Sequence, residues 1–161
     1  MKQASRERPS ARGLRVAIVR SRFNAAVTDG LLDGARQALA EMGGRKAIVV
    51  VDVPGAFELP LAARAAARSG RFDAVIALGA VIRGETDHYE HIAREAASGL
   101  MRVALRTGVP VGFGVLTVER EEQALARAAP GPDNKGGEAA RAAVDTVHAL
   151  RALGGKRKRK R

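Results

Sequence analysis

The sequence predicts an α/β protein: a three-layer α/β/α sandwich with a four-stranded parallel sheet at its centre. Short apolar runs alternate with helical patterns, and the run at residues 74–78 is apolar throughout, which is typical of a strand buried on both faces of a parallel sheet. Strands separated by single helices need right-handed crossovers, and these place helices on both faces of the sheet. The predicted arrangement is therefore flavodoxin-like.

Glycine and proline mark where the predicted elements end. A helical stripe from Val27 to Leu39 follows the first strand and ends near Gly43, Pro54 stops the second strand, and Gly70 and Gly108 close two further helices. The predicted strands cover residues 14–19, 47–53, 74–78 and 111–116, and the helices after the first cover residues 59–69, 88–107, 121–128 and 136–153.

Composition limits the classes of function. At 161 residues with 46% hydrophobic and 28% charged residues, the chain is long enough for one domain with a substantial core. It has no cysteine, which excludes a disulfide framework and a thiolate zinc site. No apolar run approaches the roughly 18 residues of a membrane span, and the basic N-terminal stretch lacks the apolar segment of a signal peptide. We therefore expect a cytoplasmic protein with no membrane partner.

The positive charge is concentrated at the two ends. Of the net charge of +11, residues 156–161 carry +6 and residues 1–15 carry +4, so the body between them is nearly neutral and offers no basic stripe for nucleic acid. We expect residues 1–13 to be a flexible basic arm or an edge strand lent to a neighbour, residues 14–153 to be one domain, and residues 154–161 to be a basic tail. The tail either binds polyanions weakly or, as is typical of such runs, is a disordered, solvated end.

Candidate site residues follow the strands, because the carboxyl ends of parallel strands meet at one edge of a sheet. Phe23 and Phe113 either stack on a planar ring or pack in the core, which is the commoner use of phenylalanine. Glu58 opens a helix, so its carboxylate either interacts with the helix dipole or accepts hydrogen bonds from ligand hydroxyls.

The segment from Gly79 to His88 is the most informative, since a buried strand leads into a glycine-containing turn just before a helix. Free N–H groups and the positive end of the dipole favour a phosphate there, although Thr86 is equally suited to be a plain N-cap. His88 lies in the first turn of the helix, and an imidazole side chain suits proton transfer near neutral pH. The alternative for His88 is an exposed helical histidine.

Two further groups of side chains have mainly structural interpretations. His88, His91 and Glu95 share a helix face, but the sequence around them matches no metal-ligand signature, so we do not expect a metal site. Arg127 and Lys135 flank a proline-glycine turn and are either solvated, or cap a helix, or reach a phosphate across a subunit boundary.

Five segments together resemble the 6,7-dimethyl-8-ribityllumazine synthase family, in matching order and spacing over about residues 14–153. They are Arg22-Phe23-Asn24, Pro54-Gly55-Ala56-Phe57-Glu58-Leu59-Pro60, residues 79–88, residues 109–117 and Asn134-Lys135-Gly136-Gly137-Glu138-Ala139-Ala140. The resemblance implies an enzyme of riboflavin biosynthesis that condenses 5-amino-6-(D-ribitylamino)uracil with 3,4-dihydroxy-2-butanone 4-phosphate. It implies neither a metal nor an organic cofactor.

The resemblance also implies a role for each matching position. His88 would transfer protons, Phe23 would stack on the pyrimidinedione with Asn24 beside it, and Glu58 would accept the ribityl hydroxyls. The remaining positions are Ala56 and Phe57 at the ribityl chain, Ala80, Val81 and Ile82 as the backbone that reads the pyrimidinedione edge, Glu85 and Thr86 at the phosphate, and Phe113, Arg127 and Lys135 from or near the adjacent subunit.

The resemblance also implies at least a pentamer, because the family shares each site between adjacent subunits, and the family also forms sixty-subunit shells. The turn at residues 129–133 has the length found in shell formers, but its two prolines stiffen it, so the sequence leaves the assembly open. Two other functions are considered: a shell or scaffold whose basic tail recruits a polyanion, and a flavin-binding relative without synthase activity. The complete set of site residues favours the enzyme.

Overall fold

The described part of the chain, residues 9–44 and 48–154 of a computed structural model, alternates strands with helices and ends in two consecutive helices. The strands are β1 (Val16–Ser21), β2 (Ile48–Val53), β3 (Ala74–Ile82) and β4 (Val111–Val118). The helices are α1 (Ala25–Glu41), α2 (Leu59–Arg68), α3 (His88–Thr107), α4 (Glu121–Ala128) and α5 (Lys135–Gly154), and a 3-10 turn at Ala56–Glu58 precedes α2.

The four strands form one parallel sheet in the order β2-β1-β3-β4. Strand β3 lies in the interior of the sheet, and all of its residues except the last are buried, as its continuous apolar sequence predicts. Strand β2 is at an edge, and none of its residues is fully buried. The predicted four-stranded, flavodoxin-like sheet is confirmed.

Helices cover both faces of the sheet. Val16 and Ile18 of β1 point to one face, where they join a core cluster with α1, α4 and α5, whereas Ala17 and Val19 point to the other face and pack with α2 and α3. Alternate residues of one strand therefore serve two separate cores, which is the expected consequence of the period of two in a strand. The three-layer sandwich follows from this alternation.

Three strands end later than the sequence patterns predict. Arg20 and Ser21, expected in a turn, continue β1 because they pair with Asp52 and Val53 of β2. Residues 79–82, expected to begin the turn after β3, pair instead with residues 115–118 of β4. Pairing with a neighbour, which local sequence does not reveal, extends each strand, so the β3–α3 connection starts only at Arg83.

The ends of the predicted domain are only partly among the described residues. Ala11, near the end of the predicted basic arm, is fully buried, and its N–H donates to the carbonyl of Met42 over 2.8 Å. Residues 1–8 of that arm, Ala47 of the predicted second strand and residues 155–161 of the tail lie outside the described residues. In the described part of the chain, no helix combines the length and apolar character needed to cross a membrane.

Candidate active site

A cleft of about 610 Å³ opens at the carboxyl edge of the sheet, where β1, β2 and β3 end beside the start of α3. Its lining is mostly apolar and contains three side chains that can titrate, Glu58, His88 and Tyr89. The residues that line it are Phe23, Pro54, Gly55, Ala56, Phe57, Glu58, Ala80, Val81, Ile82, His88, Tyr89 and Ile92. This is the edge at which the sequence predicts the site.

Two phenylalanines at the cleft have their rings in solvent. Phe23 is 69% exposed and Phe57 is 59% exposed, although the chain has only four phenylalanines. Core packing, the commoner interpretation of Phe23, is therefore wrong. Exposed aromatic rings around a concave surface are suited to contact a flat ligand on its face.

The turn that carries Phe23 is held from two sides. The backbone N–H groups of Arg22 and Phe23 donate to the carbonyls of Val53 (2.8 Å) and Pro54 (3.2 Å). Asn24 adopts a left-handed conformation with φ of 59°, and its side-chain amide donates to the carbonyl of Ala80 over 2.9 Å. Asparagine tolerates this conformation better than most residues, so a single position both turns the chain and ties β1 to β3.

An ion-pair group not anticipated from the sequence lies just before this turn. The guanidinium of Arg20 donates two hydrogen bonds of 2.9 Å to the carboxylate of Asp52 and one of 2.6 Å to that of Asp29. The bond from Arg20 holds the pKa of Asp52 below its usual range, against the opposite effect of burial. The group joins the ends of β1 and β2 to α1, and because its members are far apart in sequence no local signal reveals it.

Glu58 ends the 3-10 turn and precedes α2, but its side chain makes no capping hydrogen bond, so its carboxylate is available to the cleft. A Cβ at Gly55 would lie 3.2 Å from Oε2 of Glu58. The carboxylate of Glu58 therefore lies close to Gly55.

His88 is exposed and is the first residue of α3, where it lines the cleft. The N-cap is Asp87 and not Thr86, although the hydroxyl of Thr86 accepts a long hydrogen bond, 3.4 Å, from the N–H of His88. Glu85 and Thr86 are exposed in the preceding bend and do not line the cleft itself.

Sequence reasoning missed Tyr89 and Ile92, which also line the cleft from α3. Ile92 lies four residues after His88, so helical spacing places both on one face of α3. That spacing was the signal available in the sequence, but it becomes useful only once the face of α3 that looks toward the cleft is known.

Three predicted site residues lie away from this cleft. Phe113, on β4, is 51% exposed, which excludes the core interpretation, and it lines a separate apolar pocket against α3. Arg127 donates to the carbonyl of Gln123 over 3.0 Å, and Lys135 pairs with Glu138 at 2.7 Å. These two cations lie on α4 and α5, the helices of the opposite face of the sheet. The other eleven predicted residues line the cleft or belong to the turns beside it.

Asn134, between Arg127 and Lys135 in the chain, is a buried residue whose importance was also missed. Its side-chain oxygen accepts hydrogen bonds from the N–H groups of Gly136 and Gly137, as an N-cap does. Its side-chain nitrogen lies within hydrogen-bond distance of the carbonyls of Gly30, Ala128 and Ala129. One amide therefore joins α1, α4 and α5 and fixes the turn between the two cations.

Within residues 9–44 and 48–154, no group of three histidine, cysteine, aspartate or glutamate side chains is placed to hold a metal ion. The helix face with His88, His91 and Glu95 is part of that range. The polar side-chain groups in the lining of the cleft are the carboxylate of Glu58, the imidazole of His88 and the hydroxyl of Tyr89.

Comparison with known proteins agrees with the residues at this edge of the sheet. The family model described as 6,7-dimethyl-8-ribityllumazine synthase matches residues 13–151. The curated 6,7-dimethyl-8-ribityllumazine synthase of Edwardsiella ictaluri (strain 93-146) is 55% identical over 141 residues, which cover 86% of this chain and 90% of that protein. The chain belongs to the 6,7-dimethyl-8-ribityllumazine synthase family.

Proposed function

We propose that the chain catalyses the reaction of its family, in which 5-amino-6-(D-ribitylamino)uracil and 3,4-dihydroxy-2-butanone 4-phosphate form 6,7-dimethyl-8-ribityllumazine. The observation that carries the proposal is the cleft, which brings together two exposed phenylalanines, one carboxylate and one imidazole at the end of a central strand. Its volume of about 610 Å³ is within the range of small-molecule sites. The enzyme would act in the cytoplasm.

Substrate positioning would use the two sides of the cleft. Phe23 stacks on the pyrimidinedione, while the backbone of Ala80, Val81 and Ile82 hydrogen-bonds to the edge of that ring. Asn24 supports this backbone, since its amide already donates to the carbonyl of Ala80. Glu58, with Ala56 and Phe57 beside it, accepts hydrogen bonds from the ribityl hydroxyls, and a charged acceptor makes these bonds stronger than neutral ones.

The chemistry requires several proton transfers, which His88 is placed to assist. The aromatic amine adds to the ketone and water leaves, giving an imine. Loss of a carbon-bound proton then expels phosphate, and the resulting enol becomes a ketone. The ribitylamino nitrogen closes the ring on this ketone with loss of a second water. Both substrates are reactive already, so holding them together contributes much of the rate, and His88 shuttles the protons.

The phosphate would be bound by two sets of groups. Glu85 and Thr86 lie in the bend before α3, where backbone N–H groups and the positive end of the helix dipole favour an anion. Arg127 and Lys135 would contribute positive charge, but from the other face of the sheet they cannot close over their own subunit's cleft. We therefore propose that Arg127 and Lys135 act in the site of an adjacent subunit, within an assembly of at least a pentamer. Phe113, which lies in a separate pocket against α3, would act in that neighbouring site as well.

Formation of lumazine by the purified protein, followed by its absorbance and fluorescence, tests the function. We expect turnover above the uncatalysed condensation. His88→Ala should lower kcat by about ten- to a hundredfold. This loss is at or below the usual rate effect of an acid-base group, because the substrates are already reactive. His91→Ala is the matched control, because His91 is on the same helix but outside the cleft lining. A folded wild-type assembly that makes no product above background would contradict the proposal.

A further inference from the structure

A second cleft, of about 270 Å³, lies between α2 and the carboxyl-terminal half of α3, and its lining contains four arginines and no acidic residue. We call it the four-arginine cleft. Its arginines are Arg64, Arg68, Arg102 and Arg106, and the remaining lining is Pro60, Leu61, Gly99, Val103 and Thr107. It is separate from the cleft that contains His88.

The backbone brings these charges together. Arg64 and Arg68 are four residues apart on α2, and Arg102 and Arg106 are four apart on α3, so each pair occupies one face of its helix. Close approach at Gly99, where a Cβ would lie 2.8 Å from Pro60, fixes the separation of the helices at one end of the cleft. All four arginines therefore line one small cleft.

These arginines have no compensating partner among the residues that the structure describes. None of the four takes part in a side-chain hydrogen bond or ion pair there, whereas Arg15, Arg20 and Arg151 all pair with carboxylates. Like charges four residues apart on a helix repel each other. All four arginines are exposed, so solvent screens part of this repulsion, and a bound anion would offset it further.

Helix dipoles explain only part of this arrangement. Arg68 and Arg106 lie in the last turns of their helices, where a cation is favourable. Arg64 and Arg102 lie one turn earlier, beyond the reach of that effect. The two helix ends contribute about half a negative charge each, which is small beside four full positive charges. The positive charge at the cleft therefore exceeds what the helix ends offset.

We propose that the four-arginine cleft binds an anion with two or more linked phosphate groups. Guanidinium groups bind phosphate oxygens through paired hydrogen bonds, and four of them can neutralise the charge of such a chain. The volume of about 270 Å³ is below that of most sites for drug-sized molecules, which favours a phosphate chain over a large ligand. This proposal does not depend on the reaction catalysed at the other cleft.

Calorimetric titration of the assembled protein with inorganic triphosphate tests the proposal. We expect saturable binding and a Kd at least about tenfold weaker in the double variant Arg64→Gln/Arg102→Gln, because half of the cation partners are removed. The matched control is Arg12→Gln/Arg36→Gln, which removes the same charge from exposed sites outside the cleft and should bind as the wild type does. Lumazine formation should be unchanged in both double variants.

A third variant separates this cleft from the proposed phosphate-binding arginine on α4. Arg127→Gln should keep triphosphate binding at the four-arginine cleft, since Arg127 is on α4. Tighter binding of adenosine triphosphate than of inorganic triphosphate would support the site and assign it to nucleotides, and equal binding would support it and assign it to inorganic polyphosphates. Two results would overturn the proposal. One is an equal weakening of triphosphate binding in the two double variants, and the other is the loss of all saturable binding in Arg127→Gln.

Discussion

Glu58 is the one acidic side chain in the lining of the cleft, and its position follows from local sequence. Pro54 and Gly55 end β2, and the short 3-10 turn then places Glu58 directly before α2. The sequence predicted this location, as it did for Phe23 and His88, because each of them follows a strand or begins a helix. The sequence did not predict which face of α3 is oriented toward the cleft, so Tyr89 and Ile92 were missed.

Replacing Glu58 by glutamine tests its role in binding. Hydrogen bonds to a charged acceptor are worth about 1.5–3 kcal/mol, so we expect Glu58→Gln to raise KM for the ribityl substrate about tenfold or more. KM for the butanone phosphate should change little. Steady-state kinetics in each substrate measures both, with Glu95→Gln, outside the cleft lining, as the control. An equal rise in both KM values would contradict a specific contact with the ribityl chain.

Contacts between elements explain much of what the sequence patterns missed. The Arg20–Asp52–Asp29 group joins β1, β2 and α1 across distant positions in the chain, and Asn134 joins three helices. Each contact depends on the finished topology. The patterns predicted which segments are helices or strands, but they placed the ends of β1, β3 and β4 too early, because pairing with a neighbour decides those ends.

Acidification tests the ion-pair group. Because Arg20 holds the pKa of Asp52 below its usual value, the stabilisation is complete above the unfolded-state pKa of about 3.9 and is lost as pH falls through the lower folded-state pKa. We expect Asp52→Asn to lower the free energy of unfolding by about 1 kcal/mol or less near neutral pH, since the pair is partly exposed. Thermal unfolding from pH 7 to pH 2 should show this difference vanish at the acid end.

The close packing of α5 on α1 can be tested by substituting a glycine at the contact. A Cβ at Gly136 would overlap the backbone carbonyl of Leu31, which cannot move without shifting α1. We expect Gly136→Ala to lower the free energy of unfolding by about 3 kcal/mol or more, at or beyond the upper end of overpacking costs. Gly154→Ala, on the same helix with open space where a Cβ would lie, should be nearly neutral. Denaturant unfolding compares them, and similar losses would contradict this packing.

At the scale of the whole molecule, the sheet lies between the cleft and two of the proposed site residues. The cleft lies at the carboxyl edge of the sheet on the side of α2 and α3, while Arg127 and Lys135 are carried by the helices of the opposite face. The sheet thus separates groups that the family resemblance assigns to one reaction. The sequence predicted the sandwich correctly, since alternating elements leave few topologies, but it holds no geometric information about a second subunit.

Mixed assemblies of two weakened variants test the shared site most directly. Subunits with His88→Ala and subunits with Arg127→Ala are unfolded, combined in equal amounts and reassembled, with wild type taken through the same steps as the control. If adjacent subunits supply the two residues, random assembly around a ring restores both in about one quarter of the sites, and lumazine formation should recover to about that fraction of wild type. Turnover no greater than the mean of the two separate variants would contradict a site shared between subunits.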